Sequence, residues 1–328
     1  MKKHAFVAAF AAVLFALPSF AAAQAADDDA QIAALLARIE ALKAQLAAMQ
    51  EGIAVGEPWE WEFDRSGVRV HIGAQTSEAV EYDEDDIVNY YRLIHGKLYE
   101  DYGQTKQFSR FVEKDDQMVW DMFLAVAGEE FANEHVRDLV TYRDADTGLL
   151  AYVDRYRDEE PSWALVVNAN AADSTNRKWV RDMGVVLVHE YAHMLTLGED
   201  QVQGKKSRAY CKKGGTFYQN GYGCLEEDSY FNHFIHRFWT QEEYDLALES
   251  FGNGETDEFY EGREDEYVTE YAASRPVEDV AESFTEFILR KKPTGTKEKD
   301  EKVLFFYKYP ELVELRERMR ADIADFFD

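Results

Sequence analysis

The sequence predicts an α+β fold, on three observations. Residues 139–170 hold three short β-rich runs, LVTYR, LLAYVDRYR and WALVVNAN, the first two separated by an Asp-Thr-Gly turn. Soon after them comes VVLVHEYAHMLTLGED (185–200), which is apolar all round a helical wheel apart from one short polar cluster, as a buried helix must be. The rest of the chain reads mainly as helices, the clearest from Pro276 to Arg290 and from about 310 to 326. With 328 residues, 46% of them apolar, the chain is long enough for a sizeable core in one large domain or two small ones.

At the N-terminus, Lys2 and Lys3 precede an apolar run from Ala5 to Leu17, then Pro18 and small residues ending in Ala23-Gln24-Ala25. This pattern predicts a secretory signal peptide over residues 1–25, too short in its apolar run to span a bilayer comfortably. With no later span, the expectation is a secreted or periplasmic protein without a transmembrane segment. Over residues 26–54, Ile32, Leu35, Ile39, Leu42, Leu46 and Met49 recur three and four apart, an a/d seam that Gly52 ends. Three heptads suffice either for a weak coiled coil joining copies of the chain through residues 30–50 or for a helix packed on the domain.

From residue 55 to 328 no linker or repeat interrupts the chain, which predicts one domain. Trp59, Trp61 and Phe63, an Arg-Ser-Gly turn, then Val68, Val70 and Ile72 read as a hairpin. Helical stretches are expected near 84–101, 115–132 and 226–250. An acidic loop is expected near 252–266 and a Lys-rich loop over KKPTGTKEKDEK (291–302).

The formal net charge of −28 argues against nucleic acid and anionic membranes as partners, because both repel such a surface. Cys211 and Cys224 are the only cysteines and bracket one Gly-rich loop. In an exported chain such a pair predicts a disulfide, contributing about 3 kcal/mol in the chain-entropy model. A thiolate metal site is the rival, with no histidine inside the loop to complete it.

His189 and His193 are four apart and share a helix face, with Glu190 within the same arc. Burying two imidazoles and a carboxylate without partners costs several kcal/mol, and a divalent metal satisfies them directly. This is the HExxH pattern. Its imidazoles supply neutral nitrogen ligands to zinc, and Glu190 takes the proton of the attacking water. HEYAH on a long helix behind a sheet resembles the zincin metallopeptidases. That resemblance implies a zincin-like domain with an antiparallel-edged sheet, a buried motif helix and C-terminal helices. It also implies that substrate lies along an edge strand just before the helix, here Trp163 to Asn168.

A catalytic zinc needs a third protein ligand. Four residues compete for the role. Glu199 stands six after His193, but the metzincin glycine position is occupied by Thr196, so the helix is expected to run on to Gly198. His233 and His236 lie among aromatics and also fit a helix packed at the surface. Glu278 sits at the edge of the apolar face made by Val277, Val280, Ala281, Phe284, Phe287 and Ile288, whereas Asp279, Glu282 and Glu286 are expected further out. Glu278 is the carboxylate best placed to be held by the core and still face a site.

The stretch from Tyr271 to Glu282 resembles the HExxH-plus-Glu zincins, the gluzincin type, among them anthrax lethal factor and the Pro-Pro endopeptidases. In both, a tyrosine precedes the ligand glutamate by seven residues, and lethal factor carries a further acid four residues on. The resemblance implies Glu278 as zinc ligand, Tyr271 as oxyanion donor and Glu282 as the acid that holds a ligand histidine. The chain departs from these relatives in the longer gap between His193 and Glu278, 85 residues (278 − 193), which contains the cysteine loop.

These features predict a secreted zinc metallopeptidase acting on protein or peptide. A zinc-binding adhesion or assembly module without catalysis is the second reading, and intact Glu190 speaks against it. A hydrolase of cell-wall peptide is the third, with the same bond-breaking residues.

Overall fold

In a computed structural model of the chain, the described residues are 87–327 apart from 102–107, 110, 144–148, 157–161, 170–171, 205, 220–221 and 254–258. All belong to one compact unit, Glu62–Asp328. The signal peptide, the heptad segment, the 59–72 hairpin and the centre of the acidic loop lie outside the described residues.

The first described element is a hairpin, β1 (Ile87–Ile94) and β2 (Lys97–Asp101), where a helix was expected over 84–101. The run IVNYYRLI fits a helical period, but its β-branched and aromatic residues also suit a strand. The deciding feature is His95-Gly96. Both residues have positive φ (49° and 76°), the mark of a two-residue primed turn, and Ile94 pairs with Lys97 across it. A short β3 (Phe108–Ser109) pairs with β2. The helix expected over 115–132 is two: α1 (Lys114–Ala127) ends at Gly128, whose φ of 85° leaves the helical region, and α2 (Glu129–His135) follows.

The three expected strands form as β4 (Val136–Tyr142), β5 (Ala151–Arg155) and β6 (Trp163–Asn168). They join the hairpin in one mixed sheet of order β3-β2-β1-β4-β6-β5. β4 and β6 run parallel, with Leu139 opposite Leu165 and Val140 opposite Val166, and the other pairs are antiparallel. The order corrects one expectation. β6 is interior, and the edge beside it is β5. The strand that leads to the motif helix is therefore not the edge strand. Val140, Tyr142, Tyr152, Ala164 and Val166 make an apolar cluster on one face of the sheet. Alternation turns Leu139 and Leu165 to the other face.

Helix α3 (Arg177–Thr196) starts at Asn176, whose side chain accepts from the Lys178 and Trp179 backbone N–H groups. From Met183 to Met194 every residue is buried. The helix ends two residues before Gly198, at the Leu197 cap. Cys211 and Cys224 are joined, linking α4 (Arg208–Gly214) to the two-residue strand β8 (Gly223–Cys224), which pairs with β7 (Tyr218–Gln219). The helix expected over 226–250 is again two, α5 (Tyr230–Phe238) and α6 (Gln241–Asn253), divided at Trp239-Thr240. Helix α7 (Glu270–Ser274) precedes α8 (Pro276–Leu289). Part of the expected Lys-rich loop is helix α9 (Glu298–Phe306), before α10 (Pro310–Phe327). No helix among the described residues is long and apolar enough to cross a membrane.

Helix α8 differs most from its helical wheel, because all 14 of its residues are buried. Asp279 and Glu286 do not point out to solvent. Asp279 accepts from Trp239 Nε1 at 2.9 Å and lies 2.8 Å from Lys302 Nζ, itself fully buried. Lys302 also sits 3.8 Å from the Tyr267 ring centre, so its ammonium is held by a carboxylate and an aromatic face together. At the far end, Arg316 donates to the Phe287 and Arg290 carbonyls, and Arg320 to that of Ile288. Cationic side chains thus take the orphan carbonyls of the helix C-terminus. The helix that carries Glu278 and Glu282 is pinned along its length.

Candidate metal centre

Helices α3 and α8 pack together and bring three acceptor atoms face to face. His189 Nε2 lies 3.0 Å from His193 Nε2 and 3.4 Å from Glu278 Oε2, and His193 Nε2 lies 3.2 Å from the same oxygen. In a tetrahedral zinc site with ligand bonds of roughly 2.0–2.1 Å, neighbouring ligand atoms are about 3.3 Å apart. The three edges of the triangle match that spacing. All three residues are buried, and together they form a group that could hold a metal ion.

Two of the three corners have their own support. Glu282 Oε1 lies 2.7 Å from His189 Nδ1, which makes Nδ1–H the donor and leaves Nε2 for the centre. Glu282 is therefore buried behind the site, not directed outwards as its place on the wheel suggested. Its second oxygen accepts from Thr269 Oγ1 at 2.7 Å, and Thr269 also caps α7. Arg275 donates to Glu278 Oε1 at 2.6 Å, so only Oε2 faces the histidines. That Oε2 makes no aligned hydrogen bond, and neither does the buried Nδ1 of His193. A buried acceptor without a donor costs about 1–3 kcal/mol. A proton can bridge only one edge of the triangle, whereas a divalent cation satisfies all three corners. The residues present fit a metal.

The electrostatics agree. Burial acts to lower the pKa of His189, but the Glu278 and Glu282 carboxylates outweigh it and hold the imidazole at about 10. Burial lowers His193 below its ordinary value. Burial would raise Glu278, yet the Arg275 charge and then His193 bring it well below the usual carboxylate range. Glu278 thus stays an anion.

Glu190 lies fully buried beside the triangle. One oxygen accepts from the Val153 backbone N–H of β5 at 3.0 Å, and the other, Oε1, has no hydrogen-bond partner. Burial pushes its pKa up to about 8, against the pull of the His189 charge. A carboxylate tied to an edge strand by one oxygen, with the second left over, is suited to accept a proton near neutral pH. The Tyr271 ring centre is 6.1 Å from that of His189. Its hydroxyl is buried beside Arg275 without an aligned hydrogen bond to it. Burial, then the Glu278 charge, hold its pKa well above the ordinary phenol value, so it remains a donor.

The structure therefore gathers His189, Glu190, His193, Tyr271, Glu278 and Glu282 at one place. Glu199 is exposed on the turn after α3, away from the group. His233 and His236 are exposed on α5, against Tyr309 Oη and the Gly215 carbonyl. Sequence reasoning missed Arg275, Thr269 and the Val153 N–H. Arg275 had a signal in its place just before Pro276 and three residues before Glu278. The Val153 contact had none, since it depends on which strand lies at the edge.

A mixed-sheet α+β fold and a buried His-His-Glu group able to hold a metal define the protein this far. No family model matches the chain, and neither does any curated protein. Among solved structures, a candidate zinc-binding metallo-peptidase from Bacteroides caccae matches with 18% identity, covering 65% of this chain and 75% of that one, at a TM-score of 0.30. A likeness of that degree carries no argument for this chain.

Proposed function

We propose that the chain is a zinc-dependent peptidase of the zincin kind. The observation that carries this reading is the buried triangle of His189 Nε2, His193 Nε2 and Glu278 Oε2, with Glu190 Oε1 left unpartnered beside it. A structural site has no use for a buried carboxylate with one oxygen left unpartnered next to its ligands, which favours catalysis over a non-catalytic zinc module. A zinc ion held there would supply Lewis acidity toward water and a peptide carbonyl. Glu190, fixed by the Val153 N–H, would orient the attacking water and take its proton, then pass that proton to the leaving amine. Tyr271 would donate its hydroxyl to the oxygen on which negative charge develops. Glu282 and Arg275 would hold His189 and Glu278 in register. The substrate backbone would lie along β5, the strand that holds Glu190.

For the whole chain we propose an export signal over residues 1–25, a helix over 26–54 that packs or pairs copies of the chain, and a catalytic domain over 55–328. The product would act outside the cytoplasm on protein or cell-wall peptide. The test is an unbiased peptide-library digest by the parent and by Glu190→Gln, each with and without a chelator. We expect cleavage by the parent only, abolished by chelation and restored by zinc. The variant should retain its metal and fold while losing at least about 100-fold in turnover, the lower bound for removing a general base. Equal cleavage by the variant would place the base elsewhere.

A further inference from the structure

The chain is strongly acidic in sum, yet between Asp200 and Glu226 it carries Lys205, Lys206, Arg208, Lys212 and Lys213 and no Asp or Glu. Lys206, Arg208, Lys212 and Lys213 are exposed. Exposed lysines on a mobile run are ordinarily only a solvated face. This run is held in place. The Cys211–Cys224 disulfide ties α4 to β8. Phe217 N–H donates to Asn232 Oδ1 of α5, and His236 Nε2 lies 3.0 Å from the Gly215 carbonyl. Gly223 has φ of 108°, and a Cβ there would stand 1.7 Å from the Gly204 carbonyl oxygen, so the two backbones pass as closely as glycine allows.

The segment is also anchored next to the candidate metal centre. Tyr222 stacks on Trp163 with ring centres 6.1 Å apart, and the Arg155 guanidinium lies 5.8–5.9 Å from both rings. Arg155 is two residues along β5 from Val153, whose N–H holds Glu190, a rise of about 7 Å. Within the segment, the Arg208 guanidinium lies 5.8 Å from the Tyr218 ring centre. The basic platform thus joins, at its Tyr222 end, the strand that holds Glu190.

We propose that the basic platform of Lys206, Arg208, Lys212 and Lys213 selects substrate for this site, and that the substrate it selects is a peptide with acidic residues a few positions from the scissile bond. The proposal rests on the peptidase reading above. Its physical basis is a local reversal of sign. The net charge of −28 repels an acidic peptide from the chain as a whole, and the four exposed cations supply a local attraction that holds it near β5. Individual exposed ion pairs are weak, each worth a few-fold in affinity, so removing three should cost about 10-fold.

The experiment uses the full chain and the variant Lys206→Gln/Lys212→Gln/Lys213→Gln, which spares Arg208 and the disulfide. Two peptides, identical except that Glu replaces Gln on either side of the scissile bond, are compared by kcat/KM. We expect the acidic-to-neutral ratio of the parent to fall about 10-fold in the variant, and to fall likewise when salt is raised in the parent. An unchanged ratio alongside normal cleavage overturns the proposal and leaves the peptidase reading intact. A second arm measures binding of the fluorescent acidic peptide to both proteins in the Glu190→Gln background. If the peptide binds and the triple variant loses it, the platform stands even where no cleavage occurs, and only the peptidase reading fails. Binding to equimolar phosphatidylcholine–phosphatidylglycerol vesicles, with none to the peptide, overturns the proposal in favour of a lipid surface.

Discussion

Arg275 grips Glu278 by one oxygen and leaves the other to the histidines. The guanidinium is 2.6 Å from Oε1, whereas Oε2 is 3.2 Å from His193 Nε2 and 3.4 Å from His189 Nε2. An arginine in this place makes the carboxylate a one-oxygen ligand and keeps it ionised in a buried setting. Arg275→Met should weaken zinc affinity about 10- to 100-fold, the usual cost of losing a partner behind a ligand. Arg275→Lys should restore part of it. A chelator competition titration gives the affinities. The spectrum of the cobalt-loaded variant should also change, because a released Glu278 can bind through both oxygens. Unchanged affinity and spectrum in Arg275→Met would show that the grip is incidental.

Tyr271 offers a second test, of chemistry alone. Tyr271→Phe removes a hydroxyl that is buried and has no aligned partner, so fold and metal content should survive. Losing one oxyanion donor typically costs about 100- to 1,000-fold in turnover, with less effect on KM. Steady-state kinetics on a matched peptide decides it. A variant as fast as the parent would leave Tyr271 only a packing role.

Metal uptake should release a proton. In the chelated chain, burial acts to lower His189, but Glu278 and Glu282 hold it at about 10, so at pH 7 its imidazole is protonated. Nε2 must lose that proton to bind metal. Affinity should therefore rise with pH up to about 10, roughly tenfold per unit for each proton displaced. Calorimetry at pH 7 in two buffers of different ionisation enthalpy should give different apparent heats. Identical heats would mean that His189 is already neutral.

The motif helix was legible because its signal is local. Apolar residues on all sides of α3 announce burial, and a four-residue spacing puts both histidines on one face. Glu278 was legible for a similar reason, since the apolar stripe of α8 has an edge and Glu278 stands on it. Its neighbours Asp279 and Glu286 were misread because a helical period knows only its own helix. Asp279 is buried by Trp239 and Lys302, both remote in sequence. For Glu282 the wheel pointed outwards while the resemblance implied a place behind a ligand histidine, and it lies against His189 and Thr269. The edge strand was misassigned on the same grounds. Sheet order depends on β6 slipping between β4 and β5, and no local pattern records that pairing. The 84–101 hairpin was within reach, because His95-Gly96 is a turn signal between two β-rich runs.

Metal analysis of the purified full chain, with the ion located by anomalous diffraction at the zinc edge, is the most direct test. We expect about one zinc per chain, at roughly 2.0–2.2 Å from His189 Nε2, His193 Nε2 and Glu278 Oε2, with a further position open. A folded chain that holds no zinc, takes up none on dialysis against it, and keeps His189 and His193 apart from Glu278 would contradict the assignment of this site as a zinc centre.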